Sequence, residues 1–356
     1  MKENVKKLID RLAAENRLER EEYLTLIENS GEEEREYLAS LARAEREKHY
    51  GKDVYIRGLI EISNICKNDC YYCGIRASNK NCDRYRLTEN DILECCDEGY
   101  ALGFRTFVMQ GGEDGHFTDE VMASILRKIK SRYPDCAVTL SLGERTRESY
   151  RRLKAAGADR YLLRHETATE SHYGKLHPPS LTWANRMRCL TDLRELGYQV
   201  GCGFMVGSPY QTAEMLADEL VFIEKFKPDM CGIGPFIPHK DTEFRDMPHG
   251  SVDLTCMLLS CIRLIHPTVL LPATTALGSL EQDGRERGIL AGANVVMPNL
   301  SPASVRKKYM LYDNKLSDGA ESAQAKSSLE ERMNSIGYRI AVSRGDAIIS
   351  NKLRSN

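Results

Sequence analysis

The chain has 356 residues, 42% of them hydrophobic, enough to bury a large core, and its length suits two domains or one long α/β barrel. Its 50 basic and 52 acidic residues nearly cancel and are intermixed, which argues against a nucleic-acid groove or a polybasic membrane anchor. No apolar run approaches the roughly 18 residues of a membrane span, and no signal-peptide pattern opens the sequence, so a soluble cytoplasmic protein is expected.

Residues 1–50 are charge-dense, with Val5, Leu8, Ile9, Leu12, Tyr23, Leu24, Ile27, Tyr37, Leu38 and Leu41 at helical spacing. This predicts an extension of two or three amphipathic helices, divided near Ser30-Gly31. A regular alternation begins at Val54. Strand-like runs fall at Val54–Ile62, Thr106–Met109, Ala137–Leu142, Tyr161–Arg164, Gln199–Val206, Met230–Ile237, Val269–Thr274 and Asn294–Pro298. Helical patterns lie between them at Thr88–Leu102, Asp119–Ser131, Arg147–Ala156, Thr182–Leu196, Thr212–Phe226 and Leu254–Ile265. Several end in glycine, at Gly103, Gly157, Gly197 and Gly292, the residue suited to a left-handed cap. The alternation predicts a (β/α)8 barrel over residues 51–315. Residues 316–356 read as a short C-terminal extension: a Ser/Ala/Gly-rich loop, a helix at Ser328–Ile336 and a polar tail.

The chemistry is concentrated in EISNICKNDCYYCGIRASN, residues 61–79, where Cys66, Cys70 and Cys73 follow the first strand. Three thiolates in a short loop can hold an iron–sulfur cluster with one iron left open. A closed zinc site with Cys82 as fourth ligand reads the same spacing. Of the 12 cysteines, Cys136, Cys189, Cys202, Cys231, Cys256 and Cys261 read as small buried hydrophobes, and adjacent Cys95 and Cys96 as helix residues facing different ways.

Strand-end polar residues recur where a barrel gathers its reactive groups. Gln110-Gly111-Gly112-Glu113 follows the second strand, and its glycines suit either close approach to an amine or a tight turn. Arg164 and Glu166 alternate on the fourth strand, as a ligand site or an internal ion pair. Arg186 passes as a surface arginine, His239 as a structural loop histidine, and Met205 and Met230 as packing residues.

With these motifs the chain resembles the radical S-adenosylmethionine (SAM) enzymes, and within them the HydE family of FeFe-hydrogenase maturases. The specific stretches are RYLLRHETA (160–168), GFMVGSPYQT (203–212), GIGPFIPHKDT (232–242), LPATTALG (271–278), GANVVMPNLSP (292–302) and YMLYDNK (309–315). The resemblance covers roughly residues 50–315 and implies one 4Fe–4S cluster on Cys66, Cys70 and Cys73. It implies a SAM site lined by Tyr72, Gln110, Gly111, Gly112, Glu113, Ser141, Glu166, Arg186, Met205, Tyr309 and Leu311. Thr139, Arg160, Arg164, Met230, Thr274, Thr275 and Tyr312 would line a substrate cavity deeper in the barrel.

The activity implied is reductive cleavage of SAM to a 5′-deoxyadenosyl radical. That radical would attack sulfur of a cysteine-derived, iron-bound precursor during assembly of the FeFe-hydrogenase cluster, with the maturases HydG and HydF as partners. A biotin-synthase-like sulfur insertion, a methylornithine-synthase-like mutase and a non-catalytic cluster carrier are the alternatives. No clear cysteine set for biotin synthase's second cluster is present. The sequence also lacks cysteine after Cys261, so no accessory C-terminal cluster is expected.

Overall fold

A computed structural model describes residues 1–317, 319 and 322–348. Three helices come first: α1 (Glu3–Glu15), α2 (Arg20–Asn29) and α3 (Glu32–Tyr50). Their apolar stripes, among them Val5, Ile9, Leu12, Tyr23, Leu26 and Leu38, are buried in the main core. Then come β1 (Asp53–Ile56), β2 (Gly58–Ser63), α4 (Glu89–Ala101), β3 (Thr106–Gly111), α5 (Asp119–Arg132), β4 (Ala137–Ser141), α6 (Arg147–Ala155) and β5 (Arg160–Leu162). They are followed by α7 (Glu170–Leu176), α8 (Trp183–Glu195), β6 (Gln199–Cys202), β7 (Met205–Val206), α9 (Ala213–Phe226), β8 (Met230–Cys231), β9 (Gly234–Pro235) and α10 (Val252–Ile265). The last elements are α11 (Thr275–Leu280), α12 (Gly284–Leu290), β10 (Val295–Val296), α13 (Ala303–Arg306), α14 (Lys326–Ser335) and β11 (Arg339–Ala341).

The fold is an α/β barrel of TIM type. Its parallel sheet runs β2-β3-β4-β5-β6-β8, with β7 and β9 paired beyond it. The barrel helices start where a hydroxyl can take the first free backbone N–H groups. Thr88, Thr118, Thr146, Thr182, Thr212 and Ser251 each accept from the third helical residue of α4, α5, α6, α8, α9 and α10. Such a cap contributes about 1 kcal/mol.

Three strand expectations change. The run Val54–Ile62 is two strands: β1 pairs with β10 and β11, while β2 starts the barrel sheet against β3. The run Gln199–Val206 breaks at Gly203, whose φ is +152° and whose missing Cβ would lie 2.0 Å from Gly232 O. The run Val269–Thr274 forms no ladder. It touches its neighbours through the bridges Met230–Leu270 and Pro272–Val295, and Leu59–Asn299 completes the circuit. Pro272 and Pro298 lack the N–H that a continuous ladder needs, so this flank of the barrel is joined by single bridges rather than by full strand pairing.

The C-terminal segment is more than a polar tail. β11 lies parallel to β1, pairing Val54 with Ile340. Beyond it, Asp346 binds Arg160 at 2.6 Å, and Arg344 O accepts from Thr106 Oγ1 at 2.8 Å. Both contacts lie at the starts of barrel strands, so the segment seals the end opposite the strand C-termini. No described helix is long and apolar enough to cross a membrane.

Candidate active site

At the C-terminal ends of the strands a cavity of about 360 Å³ is bordered by Cys66, Cys70 and Cys73. The loop that carries them has little regular structure and is held by many small contacts. Gly74 N donates to Leu311 O at 2.9 Å, Arg76 binds Asp69 at 2.7 Å, and Arg84 donates to Asn64 O and Ile75 O at 2.6 and 2.8 Å. A Cβ on Gly74 would lie 2.3 Å from His239 Cδ2, so His239 packs beneath this loop. Gly112 serves the same loop from β3, since a Cβ there would lie 2.3 Å from Ile65 O and 2.8 Å from Cys66 Cβ.

Burial pushes all three thiols up, Cys73 to about 12. A low-dielectric pocket disfavours a bare thiolate, and a cationic iron centre would supply the charge that holds one there. Three soft donors at the edge of a cavity fit an iron–sulfur cluster with an open position. Cys82 is not among the cavity residues, and it accepts from Asn64 Nδ2 at 3.4 Å. It does not join a four-thiolate site. Cys95, Cys96, Cys136, Cys189, Cys202, Cys231 and Cys261 are buried, and Cys256 is half-buried.

Around the cysteines the cavity is lined by Tyr72, Gln110, Gly111, Gly112, Glu113, Ser141, Glu166, Arg186, Met205, Tyr309 and Leu311. Glu113 is fixed by Lys67 at 3.1 Å and by Glu144 N at 2.9 Å. Gly143, at φ +72°, leaves the room it needs, because a Cβ there would lie 2.1 Å from Glu113 Oε1. Arg186 is buried rather than on the surface, with Nε donating to Glu144 Oε1 at 2.6 Å. Glu166, at φ +65°, keeps a buried Oε2 without a hydrogen bond, 3.3 Å from Arg164 Nη2. The two form an internal ion pair and also face the cavity. A carboxylate held in a strained conformation with an unspent lone pair is suited to a polar ligand.

Tyr72 OH lies 3.3 Å from His177 Nε2, whose Nδ1 is 3.0 Å from Tyr173 O. Burial, reinforced by the charge of Arg186, holds His177 down at about 3, so its ring is neutral and its Nε2 accepts a hydrogen bond from the Tyr72 hydroxyl.

At the far wall, Thr274, Thr275, Tyr312 and Arg164 line the cavity. Thr274 Oγ1 is buried without a partner, and Thr275 Oγ1 accepts from Arg285 Nη2 at 3.2 Å. Thr139, Arg160 and Met230 are not among the residues that border it. Arg160 and Thr139 sit lower in the strands. Arg160 is satisfied by Asp346, Thr106 and Gln199, and Met230 Sδ lies 2.9 Å from Arg57 Nη1. Sequence reasoning missed Lys315, at the end of YMLYDNK, which lines the cavity, and Glu61 and Arg285, which stand behind cavity residues. The motif containing Lys315 was visible; nothing local marked the other two. Glu144, at the end of the strand that carries Ser141, stands behind Arg186.

Residues 60–223 match the Radical SAM superfamily model, which is the class that the barrel and its three-cysteine loop define. The [FeFe] hydrogenase maturase subunit HydE of Thermotoga maritima is 46% identical over 281 residues, 79% of this chain and 80% of that protein. The chain therefore belongs to the HydE family. A methylornithine synthase crystal structure, 26% identical, superposes with a TM-score of 0.83 over 94% of this chain and 97% of its own. The FeFe-hydrogenase maturase HydG from Carboxydothermus hydrogenoformans, 20% identical, shares the fold with a TM-score of 0.79 over 96% of this chain and 80% of its own.

Proposed function

We propose that this enzyme cleaves SAM reductively and directs the resulting radical at a sulfur-containing precursor during assembly of the FeFe-hydrogenase cluster. The observation that carries the reading is one cavity bordered by three cysteines and also by Thr274, Thr275 and Arg164, among which the Thr274 hydroxyl has no hydrogen-bond partner. When bound, the 4Fe–4S cluster supplies the electron that breaks the S–C5′ bond of SAM, giving methionine and the 5′-deoxyadenosyl radical. Cys66, Cys70 and Cys73 would hold that cluster. The Glu113 and Glu166 carboxylates would receive polar groups of SAM, and Arg186 would fix Glu144 and the backbone beneath them.

Substrate and SAM filling the cavity would keep water from a reactive carbon radical. At the far wall, Thr274, Thr275, Tyr312 and Arg164 would orient the iron-bound, cysteine-derived substrate that attack at sulfur requires. HydG as its source and HydF as recipient of the product follow the same reading, as does a cytoplasmic setting. The similarity to methylornithine synthase supports a mutase as second reading, at 26% identity against 46% for HydE. The reduced, anaerobically reconstituted protein should form 5′-deoxyadenosine from SAM, and Cys70→Ser should abolish it. Undiminished cleavage in that variant contradicts the reading, and methylornithine formed from lysine would favour the mutase.

A further inference from the structure

The cysteine loop is wrapped around one guanidinium. Arg84 Nη1 donates to Asn64 O and Ile75 O at 2.6 and 2.8 Å, and Nη2 to Arg76 O and Asn79 O at 2.6 and 3.0 Å. Asn64 lies just before Cys66, and the other three acceptors follow Cys73. One side chain thus ties the entry of the loop to its exit. The planar fork of arginine suits this task, because its N–H groups are held at fixed angles. Asn79 Nδ2 donates in turn to Gly74 O at 2.7 Å, drawing the exit back towards Cys73.

Arg84 differs from the cations around it in charge balance. Lys67, Arg76, Arg86, Arg164, Arg186 and Lys315 each meet a carboxylate within 3.3 Å. Arg84 has no such partner among the described residues, and all four of its hydrogen bonds go to backbone carbonyls. Carbonyl dipoles satisfy the donors of a guanidinium and leave its net charge standing. At Cys66 and Cys73, where burial pushes the thiols up, that charge acts in the opposite sense.

We propose that Arg84 is a positioning residue that clamps the cysteine loop and, through its uncompensated charge, favours the reduced form of the cluster that the loop would hold. The inference rests on the proposed radical chemistry and adds to it how this chain eases the entry of the electron. A 4Fe–4S core on three thiolates is net anionic, and taking up one electron adds a further negative charge. A nearby cation stabilises the reduced form more than the oxidised one, and a carboxylate beside that cation would cancel the difference.

The test is a redox titration of the cluster-loaded protein without SAM, followed through the EPR signal of the reduced cluster. Arg84→Gln removes the charge and keeps an amide donor. Its reduced-to-oxidised ratio at a fixed potential should fall about tenfold, the effect of one partly screened charge. For one electron that is a downward shift of about 59 mV. Arg84→Lys keeps the charge as a compact ammonium that cannot span four carbonyls. Its ratio should stay within about twofold of wild type, while EDTA strips its iron about tenfold faster, as expected when charge-assisted hydrogen bonds are lost. Cys82→Asp leaves the clamp whole. Cys82 shares Asn64 with Arg84, its Sγ lying 3.4 Å from Asn64 Nδ2, so a carboxylate there opposes the guanidinium. It should lower the midpoint as Arg84→Gln does, with iron release near wild type, and it carries the comparison if Arg84→Gln fails to load. A midpoint unchanged in Cys82→Asp or in loaded Arg84→Gln, or lowered equally in Arg84→Lys, overturns the inference, and unchanged iron release in Arg84→Lys overturns the clamp. Absence of a reducible cluster from the wild type would overturn the proposed function instead.

Discussion

Glu166 combines three properties seldom found together: a left-handed backbone, burial and a carboxylate oxygen lacking a hydrogen bond. Each costs stability on its own, by about 1–3 kcal/mol for the backbone strain. Their coincidence at the cavity wall fits a residue held ready for a ligand. Glu166→Ala should raise the dissociation constant for SAM about ten- to a hundredfold, the range of a charge-assisted hydrogen bond. Cluster absorbance should stay near wild type, since Glu166 belongs to the segment after β5 and not to the cysteine loop. Titration of the reconstituted variant with SAM checks this; unchanged affinity would remove Glu166 from the site. Arg186 illustrates what a sequence conceals at this scale. Its helix marks it as exposed, yet its contact with Glu144 forms only when α8 packs against the end of β4.

The element that sets Glu166 in place is the short segment after β5, and α9 grips it from behind. Glu219 Oε2 lies 2.7 Å from His165 Nε2, and Oε1 accepts from Ala168 N at 2.7 Å. His165 Nδ1 in turn accepts from Gly203 N at 3.2 Å, so the ring donates to the carboxylate through Nε2. Neither His165 nor Glu219 borders the cavity. Glu219→Ala would leave a buried imidazole and a buried N–H unpaired, at a cost of about 1–3 kcal/mol. Thermal unfolding should show the loss, and SAM affinity should weaken although no cavity group has been removed. Weakened stability with intact affinity would confine the pair to a packing role. Helix positions were legible in sequence because a threonine opens and a glycine closes many of them. Strand lengths were not: whether an apolar run continues depends on a close approach such as Gly203 to Gly232, or on a proline facing a neighbour.

Across the whole molecule, the cysteine loop, Gln110–Glu113, Arg164 and Glu166 were readable because each occupies a strand end, and a barrel brings strand ends together. Thr274 and Thr275 were readable as strand-end hydroxyls in the same way; the resemblance supplied Arg186, Tyr309 and Leu311, which no local pattern marks. Depth along the barrel was not readable. Thr139 and Arg160 lie on the same strands as the cavity residues Ser141 and Leu162 but nearer the strand starts, a distinction set by register. Cysteine distribution makes one prediction at this scale. The last cysteine is Cys261, which is fully buried, and later residues offer hard oxygen and nitrogen ligands that suit iron–sulfide poorly. Reconstituted protein should carry about four irons per chain, and Mössbauer spectra of the Cys66/Cys70/Cys73→Ala protein should show no defined cluster. A persistent one would reveal a second binding set.

Synthesis on the ribosome meets a difficulty that the finished molecule hides. β1 emerges early, yet both strands that flank it, β10 and β11, are made last, with Tyr55 paired to Val295 and to Ala341. Such long-range pairing is slow to form because the loop entropy is lost before any contact compensates it. The nascent barrel therefore waits with one edge bare, and its floor closes only when Arg344 and Asp346 have been translated. Chains that terminate early would keep the whole cysteine loop and still present that open edge to one another, inviting strand-to-strand aggregation.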